Sequence, residues 1–209
     1  LFGSIGLFVR GIALPSSVIA LVRGVIGCFF LVTVGSLMKQ PVNWKAVKSN
    51  WLVLVLSGAA IGFNWIFLFE AYRYTMVSCA TLSYYFAPVF VILVSPVVLG
   101  EKLTKRKLCC AAGAVIGMIL VSNVLFLDQG ENGLIGIFFG LMAAVLYASV
   151  MILNKFMKGL SGLETTAAQL GVAAVILLPY TLLTSAEPFS AVLSSVPAVS
   201  WILLAFVGI

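Results

Sequence analysis

The chain has 209 residues, 63% of them hydrophobic and only 9% charged, with a formal net charge of +6 and a mean hydropathy of +1.22. Soluble domains average about 25% charged residues, so too few ionic groups remain to coat a water-facing surface, and a soluble enzyme or binding module is excluded. No histidine is present, which removes the usual metal ligand and the commonest general base and argues against an intramembrane protease or a His-ligated haem.

In chain order, residues 1–13 read as the back half of a membrane span. The stretch 15–38 follows, interrupted only by Arg23, and then 51–69, which stops at Glu70. The stretches 74–100, 108–127, 132–154 and 165–186 are free of charge, and residues 200–209 read as the front half of a last span. Each full stretch meets the requirement of about 20 apolar residues for a helical crossing. The runs are continuous and lack period-2 alternation, which disfavours strands. The expected class is an all-α polytopic membrane protein with about eight helices, the first and last partial. Both ends fall inside apolar stretches and the first residue is Leu1, so the chain reads as a fragment of a longer one.

Charge sets the expected orientation. Lys39, Lys45 and Lys48, then Lys102, Lys105, Arg106 and Lys107, then Lys155 and Lys158 occupy three connections that alternating crossings place on one side. Asp128, Glu131 and Glu187 fall on the other, with Arg10 and Arg73 near its surface. Basic loops mark the cytoplasmic face, so the positive balance is a topology signal. These loops are short and lack stacking aromatics, so nucleic acid is not an expected partner. No G-x-x-x-x-G-K-[ST] phosphate loop is present. Cys28, Cys79, Cys109 and Cys110 read as small packing residues, and adjacent cysteines are not a metal spacing.

The chain also resembles itself. Leu1-Phe-Gly-Ser-Ile-Gly-Leu-Phe-Val-Arg10 aligns with Leu146-Tyr-Ala-Ser-Val-Met-Ile-Leu-Asn-Lys155, and Trp51 and Gly58 with Trp201 and Gly208. Five spans in the first unit would insert the second upside down, an architecture recurrent in secondary transporters. The expected units are residues 1–127 (helices 1 to 5) and a truncated second repeat at 132–209 (helices 6 to 8).

Helical spacing gathers the polar groups. In the fourth span Ser78, Thr81, Tyr85, Pro88 and Ser95 share one face. Pro88 frees the carbonyl of Tyr84, which must find a partner in lipid; a substrate-contacting hinge and a packing kink both fit. Tyr84 and Tyr85 can line a pocket. In the third span Ser57, Ile61, Asn64 and Leu68 share a face, and in the sixth Tyr147 lies seven residues before Asn154. For the asparagines, interhelical glue and substrate contact stand as equal readings. Arg23 and Glu70 are costly inside a span. They are the expected ion pair, joined by Arg10 or Arg73, acting either as a gate or as a register lock. Glu164 and Gln169 form a loose mirror of them in the seventh span. Gly58–Gly62, Gly113–Gly117 and Gly136–Gly140 are G-x-x-x-G pairs for close helix packing, within a chain or between chains of a homodimer. Glu101 is expected to pair with Lys105, one turn away in a helix.

The sequence bears on three functional classes. An intramembrane enzyme on lipid or isoprenoid diphosphates needs clustered acids for Mg²⁺, and the chain has one Asp, Asp128. No enzymatic role, catalytic residue, metal or cofactor is therefore expected. A carrier and a non-transporting membrane scaffold remain, separated by whether a wet central cavity exists around Tyr85, Asn64 and Tyr147.

The segments Ala71-Tyr-Arg-Tyr-Thr75, Ser83-Tyr-Tyr-Phe-Ala-Pro-Val-Phe-Val91 and Leu99-Gly-Glu-Lys-Leu-Thr104 resemble the EamA-type transporters of the drug/metabolite transporter superfamily. Gly113 and Gly117 fall at that family's fifth-helix glycines, and Arg23 where it commonly has an arginine in its second helix. Arg10 stands where the family often has lysine. The resemblance implies ten helices in two inverted halves and both termini in the cytoplasm. It also implies a multi-pass location in the plasma membrane and movement of a small-molecule substrate, often export of amino acids or related compounds. Most of the eighth helix and the ninth and tenth would be missing here. The region of the first helix offers Ser4 rather than an acid, which argues against proton-coupled export of the small-multidrug kind.

Overall fold

A computed structural model describes residues 14–38, 43–122 and 133–184. They form an all-α, polytopic arrangement with no strand among the described residues: α1 (Ser16–Leu37), α2 (Trp44–Ser49), α3 (Trp51–Tyr74), α4 (Val77–Tyr84), α5 (Ala87–Val98), α6 (Lys105–Ser122), α7 (Gly133–Phe156) and α8 (Gly162–Thr184). Five are long and apolar enough to cross a membrane: α1, α3, the α4–α5 unit, α7 and α8. At about 1.5 Å per residue, 22 residues reach ~33 Å, enough for a hydrocarbon layer of about 30 Å. The expected fifth span appears as α6, whose first turn carries Lys105, Arg106 and Lys107. The partial spans at 1–13 and 200–209, and with them half of each internal match, lie outside the described residues.

Local chemistry explains the boundaries. Pro15 has no N–H to lose and sits just before α1, where its carbonyl accepts from Val18 and Ile19 at 3.0 and 3.2 Å. The Asn43 side chain caps α2 by accepting from the Ala46 N–H at 3.2 Å. The connection into α8 is a reciprocal box. Ser161 Oγ accepts from the Glu164 N–H at 3.2 Å while Glu164 Oε2 accepts from the Ser161 N–H at 2.8 Å. Gly100 and Gly159 adopt φ of +66° and +74°, the left-handed turns that end α5 and α7.

The expected continuous fourth span is broken. α4 stops at Tyr84 and α5 restarts at Ala87, because Pro88 at the second helical position cannot donate to the preceding turn. The break rotates the expected polar face apart: Ser78 and Pro88 are exposed, whereas Ser95 is buried. Pro96 causes no second break. Its missing N–H would leave the Ile92 carbonyl open, and Ser95 Oγ donates to it at 3.2 Å.

α3 is the central helix, packed against α7 and α8, while α1 lies along α8 and α4–α5 along α7. Two of the three glycine pairs make these contacts. A Cβ on Gly58 would stand 2.7 Å from Val172 Cβ and 2.9 Å from the Gln169 carbonyl, and one on Gly140 2.7 Å from Ser83 Cβ. Gly113 and Gly117 have nothing within 4 Å, so the third pair serves no packing among the described residues. Outward side chains are apolar, with Val97 and Leu183 each 86% exposed, as suits a lipid solvent. Cys79 is buried, but Cys109 and Cys110 are exposed on α6 rather than packed.

The three basic connections meet at one end of the bundle. Asn50 Nδ2 donates to the Lys158 carbonyl at 3.0 Å, Lys155 Nζ pairs with Glu101 at 2.7 Å, and the Asn43 N–H donates to Glu164 at 2.7 Å. Glu101 also holds Lys107 at 2.9 Å, not the expected Lys105. Residues 101–104 precede α6, so no helical turn carries Glu101 to Lys105, and the left-handed Gly100 turns its carboxylate elsewhere. The Lys155 and Lys107 ammonium groups hold that carboxyl down at about 2.

Candidate functional site

The break between α4 and α5 sets Tyr84, half-buried, and Tyr85, 47% exposed, beside α1 and α3. A small, partly open cavity there, about 50 Å³, is lined by Arg23, Trp65, Leu68, Tyr72, Thr81, Tyr84 and Tyr85. Of the residues expected to line a substrate cavity, Thr81, Tyr84 and Tyr85 stand together in it. Arg23, Trp65 and Tyr72 complete it, and Tyr72 faces Thr81 with the two hydroxyls 3.4 Å apart.

Arg23 and Trp65 are level for a reason visible in the chain. Arg23 lies fourteen residues before the Leu37 end of α1 and Trp65 fourteen residues after the Trp51 start of α3. Both therefore stand ~21 Å from the basic end. The guanidinium sits 4.5 Å from the centre of the Trp65 ring, a cation–π contact that partly compensates a desolvated cation. A second cavity of about 290 Å³ opens on the other side of these two residues, lined also by Gly27, Phe30, Leu31, Thr166 and Leu170. A third, about 500 Å³ and mainly apolar, lies at the basic end between α1, α2 and α8, with Cys28, Trp44 and Leu163 in its wall.

The expected Arg23–Glu70 ion pair is not formed. Glu70 pairs with Arg73 at 3.2 Å, one helical turn on, and among the described residues no carboxylate accompanies Arg23. Glu70 is five residues beyond Trp65 on α3, past the level that Arg23 reaches, so its nearest cation is on its own helix. A guanidinium inside a span costs about 2.5–3.5 kcal/mol on insertion scales, and such groups face interior cavities.

The remaining expected residues act between helices. Asn64, 1% exposed, donates to the Ala143 carbonyl at 2.6 Å and lies within side-chain hydrogen-bonding reach of Tyr84. Tyr147 packs against Tyr84 with the rings tilted and their centres 5.4 Å apart, and it does not line the cavity. Asn154 accepts from Gln169 Nε2 at 2.7 Å, and the same amide donates to Ser57 Oγ at 2.8 Å, a clamp joining α7, α8 and α3. Pro88 shapes the break without lining the cavity. Glu164 is an end cap and Gln169 a clamp, so neither mirrors Arg23 and Glu70. Sequence reasoning missed Trp65 and Tyr72. The signal available was their position one and eight residues beyond Asn64, on the flank of the face already singled out.

Residues 1–123 match the family model described as the EamA-like transporter family. A Bacillus subtilis (strain 168) protein named "Uncharacterized transporter YxxF" is 31% identical over 185 residues, which is 86% of this chain and 58% of that protein. An Archaeoglobus fulgidus protein named "Uncharacterized transporter" is 34% identical over 114 residues, 54% of this chain and 40% of that protein. The chain therefore spans 58% or less of the length of these relatives.

Proposed function

The chain belongs to the EamA-like transporter family, and from that premise we propose that it is the greater part of a secondary carrier for small organic metabolites. It works without ATP, exporting amino acids or related compounds across the plasma membrane. The observation that carries this reading is the cavity at the α4–α5 break, where a guanidinium, an indole ring and four hydroxyl-bearing side chains converge inside an apolar bundle. A packed scaffold gains nothing from placing such groups around a void.

The proposed cycle is alternating exposure of that cavity. The α4–α5 break supplies a joint, since residues 85 and 86 interrupt the helix and can absorb backbone rotation. Residues 1–127 and 132–209 are proposed as inverted repeats with the substrate between them. Supporting this, α1 and α3 of the first segment pack on α7 and α8 of the second. The basic end is proposed to face the cytoplasm, on the preference of Lys and Arg for that side. Gly113 and Gly117, open on α6, are left for a helix outside the described residues or for a second chain. No chemical step, metal or cofactor enters this cycle.

The test is flux of a panel of radiolabelled amino acids, organic acids and nucleosides in proteoliposomes. Saturable movement of one class, abolished by Tyr84→Ala, is expected. A flat panel, with the protein folded and correctly inserted, would favour the scaffold.

A further inference from the structure

Arg23 is the one cation in the interior of the described bundle, and it stands where two cavities meet. Its guanidinium lies 4.5 Å from the centre of the Trp65 ring and, among the described residues, pairs with no carboxylate. A planar guanidinium offers five N–H donors in a fork whose geometry matches a carboxylate. The compartments on its two sides differ in chemistry. The 50 Å³ one adds the hydroxyls of Thr81, Tyr84 and Tyr85 and has room for a few water-sized atoms, the size of a carboxylate head. The 290 Å³ one is bounded by Phe30, Leu31 and Leu170 and can take an apolar body. No Asp or Glu lines either compartment.

We propose that Arg23 is the substrate-recognition residue and that it binds the carboxylate of a small organic acid, whose apolar body occupies the larger compartment. This rests on the carrier reading and narrows it: the cargo is selected by its anionic head. The Trp65 ring supports the guanidinium between the compartments. The hydroxyls of Thr81 and Tyr85 supply further donors to the carboxylate oxygens, and Tyr84 packs against Tyr147 with ring centres 5.4 Å apart. A substrate carboxylate supplies the counter-charge that no described residue provides.

Trp65 makes the binding event observable without transport. In a background carrying Trp44→Phe, Trp51→Phe and Trp201→Phe, Trp65 is the sole indole reporter. Detergent-solubilised protein is titrated with 4-methylpentanoate, with its uncharged amide 4-methylpentanamide, and with inorganic phosphate. The carboxylate is expected to change Trp65 emission saturably and to bind about tenfold or more tightly than the amide, as charge-assisted pairing requires. Arg23→Gln should bring the carboxylate-to-amide ratio to about one while Arg23→Lys keeps part of it, because charge survives and the fork is lost. Equal binding of acid and amide, a ratio unchanged in Arg23→Gln, preference for phosphate, or no saturable response to any probe would overturn the proposal. A ratio is insensitive to a general loss of folded protein, so a merely structural Arg23 would not move it. Charge-selective binding without flux in proteoliposomes would sink the carrier reading alone. Flux indifferent to charge and to Arg23→Gln would sink this inference alone.

Discussion

Gly58 and Gly117 belong to the same short sequence motif, yet opposite effects are expected when each becomes alanine. At Gly58 the new Cβ meets Val172 Cβ at 2.7 Å, Val172 Cγ1 at 2.8 Å and the Gln169 carbonyl at 2.9 Å. Two of these atoms are fixed by backbone, so no rotamer change relieves them. α3 and α8 must separate by roughly 0.5–1 Å to restore ordinary contact distances, an overpacking cost of about 1–3 kcal/mol. The same shift strains the Gln169 clamp, which reaches Ser57 one residue away. At Gly117 nothing among the described residues lies within 4 Å, and where no other helix covers that face alanine is favoured over glycine by about 0.5–1 kcal/mol. Thermal unfolding in detergent, followed with a thiol-reactive dye in a background carrying Cys28→Ser, Cys109→Ser and Cys110→Ser so that only the buried Cys79 reports, measures both. At about 2–4 °C per kcal/mol for a chain this size, Gly58→Ala should lower the midpoint by several degrees while Gly117→Ala leaves it unchanged or raises it. Equal shifts, or a stabilised Gly58→Ala, would refute the close approach of α3 and α8.

Further outcomes follow from the same contacts. Gln169→Leu leaves Ser57 and Asn154 without their shared donor and should lower stability by about 0.6–2 kcal/mol, read by the same thermal assay; no change would mean the clamp carries no energy. Glu101 is held at about 2 and Glu164 also lies below its ordinary value, held mainly by the Asn43 N–H. For a lowered carboxyl the contribution is present above the unfolded value of about 4.5 and is lost as pH falls through the folded one. The distance between fluorophores attached in the 43–50 and 155–164 segments, read by energy transfer, should therefore lengthen between pH 4.5 and 2. Glu101→Gln combined with Glu164→Gln should flatten that dependence, and a double variant with an unaltered acid transition would contradict it. Asn64→Cys should react slowly with a polar thiol reagent, because the site is 1% exposed, and Tyr147→Cys faster, because that ring is 39% exposed; the reverse order would contradict the packing around α3.

The spans were legible because lipid demands one thing of a helix, a long uncharged run, and composition reports that directly. α1, α3, α7 and α8 accordingly lie within a few residues of the expected stretches. The α4–α5 break was half legible. Pro88 announced an interrupted carbonyl, but whether the helix bends or stops depends on how α7 packs beneath it. Arg23 was legible as an anomaly, its partner was not. Pairing it with Glu70 assumed that opposite charges near one membrane face find each other, whereas helix register set Arg23 level with Trp65 and left Glu70 beside Arg73. The glycine pairs carry the same lesson, since Gly58–Gly62 and Gly113–Gly117 are indistinguishable as motifs and differ only in whether another helix arrives. Glu101 likewise depended on Gly100, whose left-handed turn aims the carboxylate at Lys155, a residue far away in sequence.

The most direct measurement of the central account is the reactivity of Tyr85→Cys, in a chain freed of its four native cysteines, toward a membrane-impermeant thiol reagent added to either side of sealed proteoliposomes. A cavity that opens alternately predicts modification from both sides, at rates that a transported substrate changes in opposite directions. Reactivity from one side alone, unmoved by any member of the substrate panel, would contradict it.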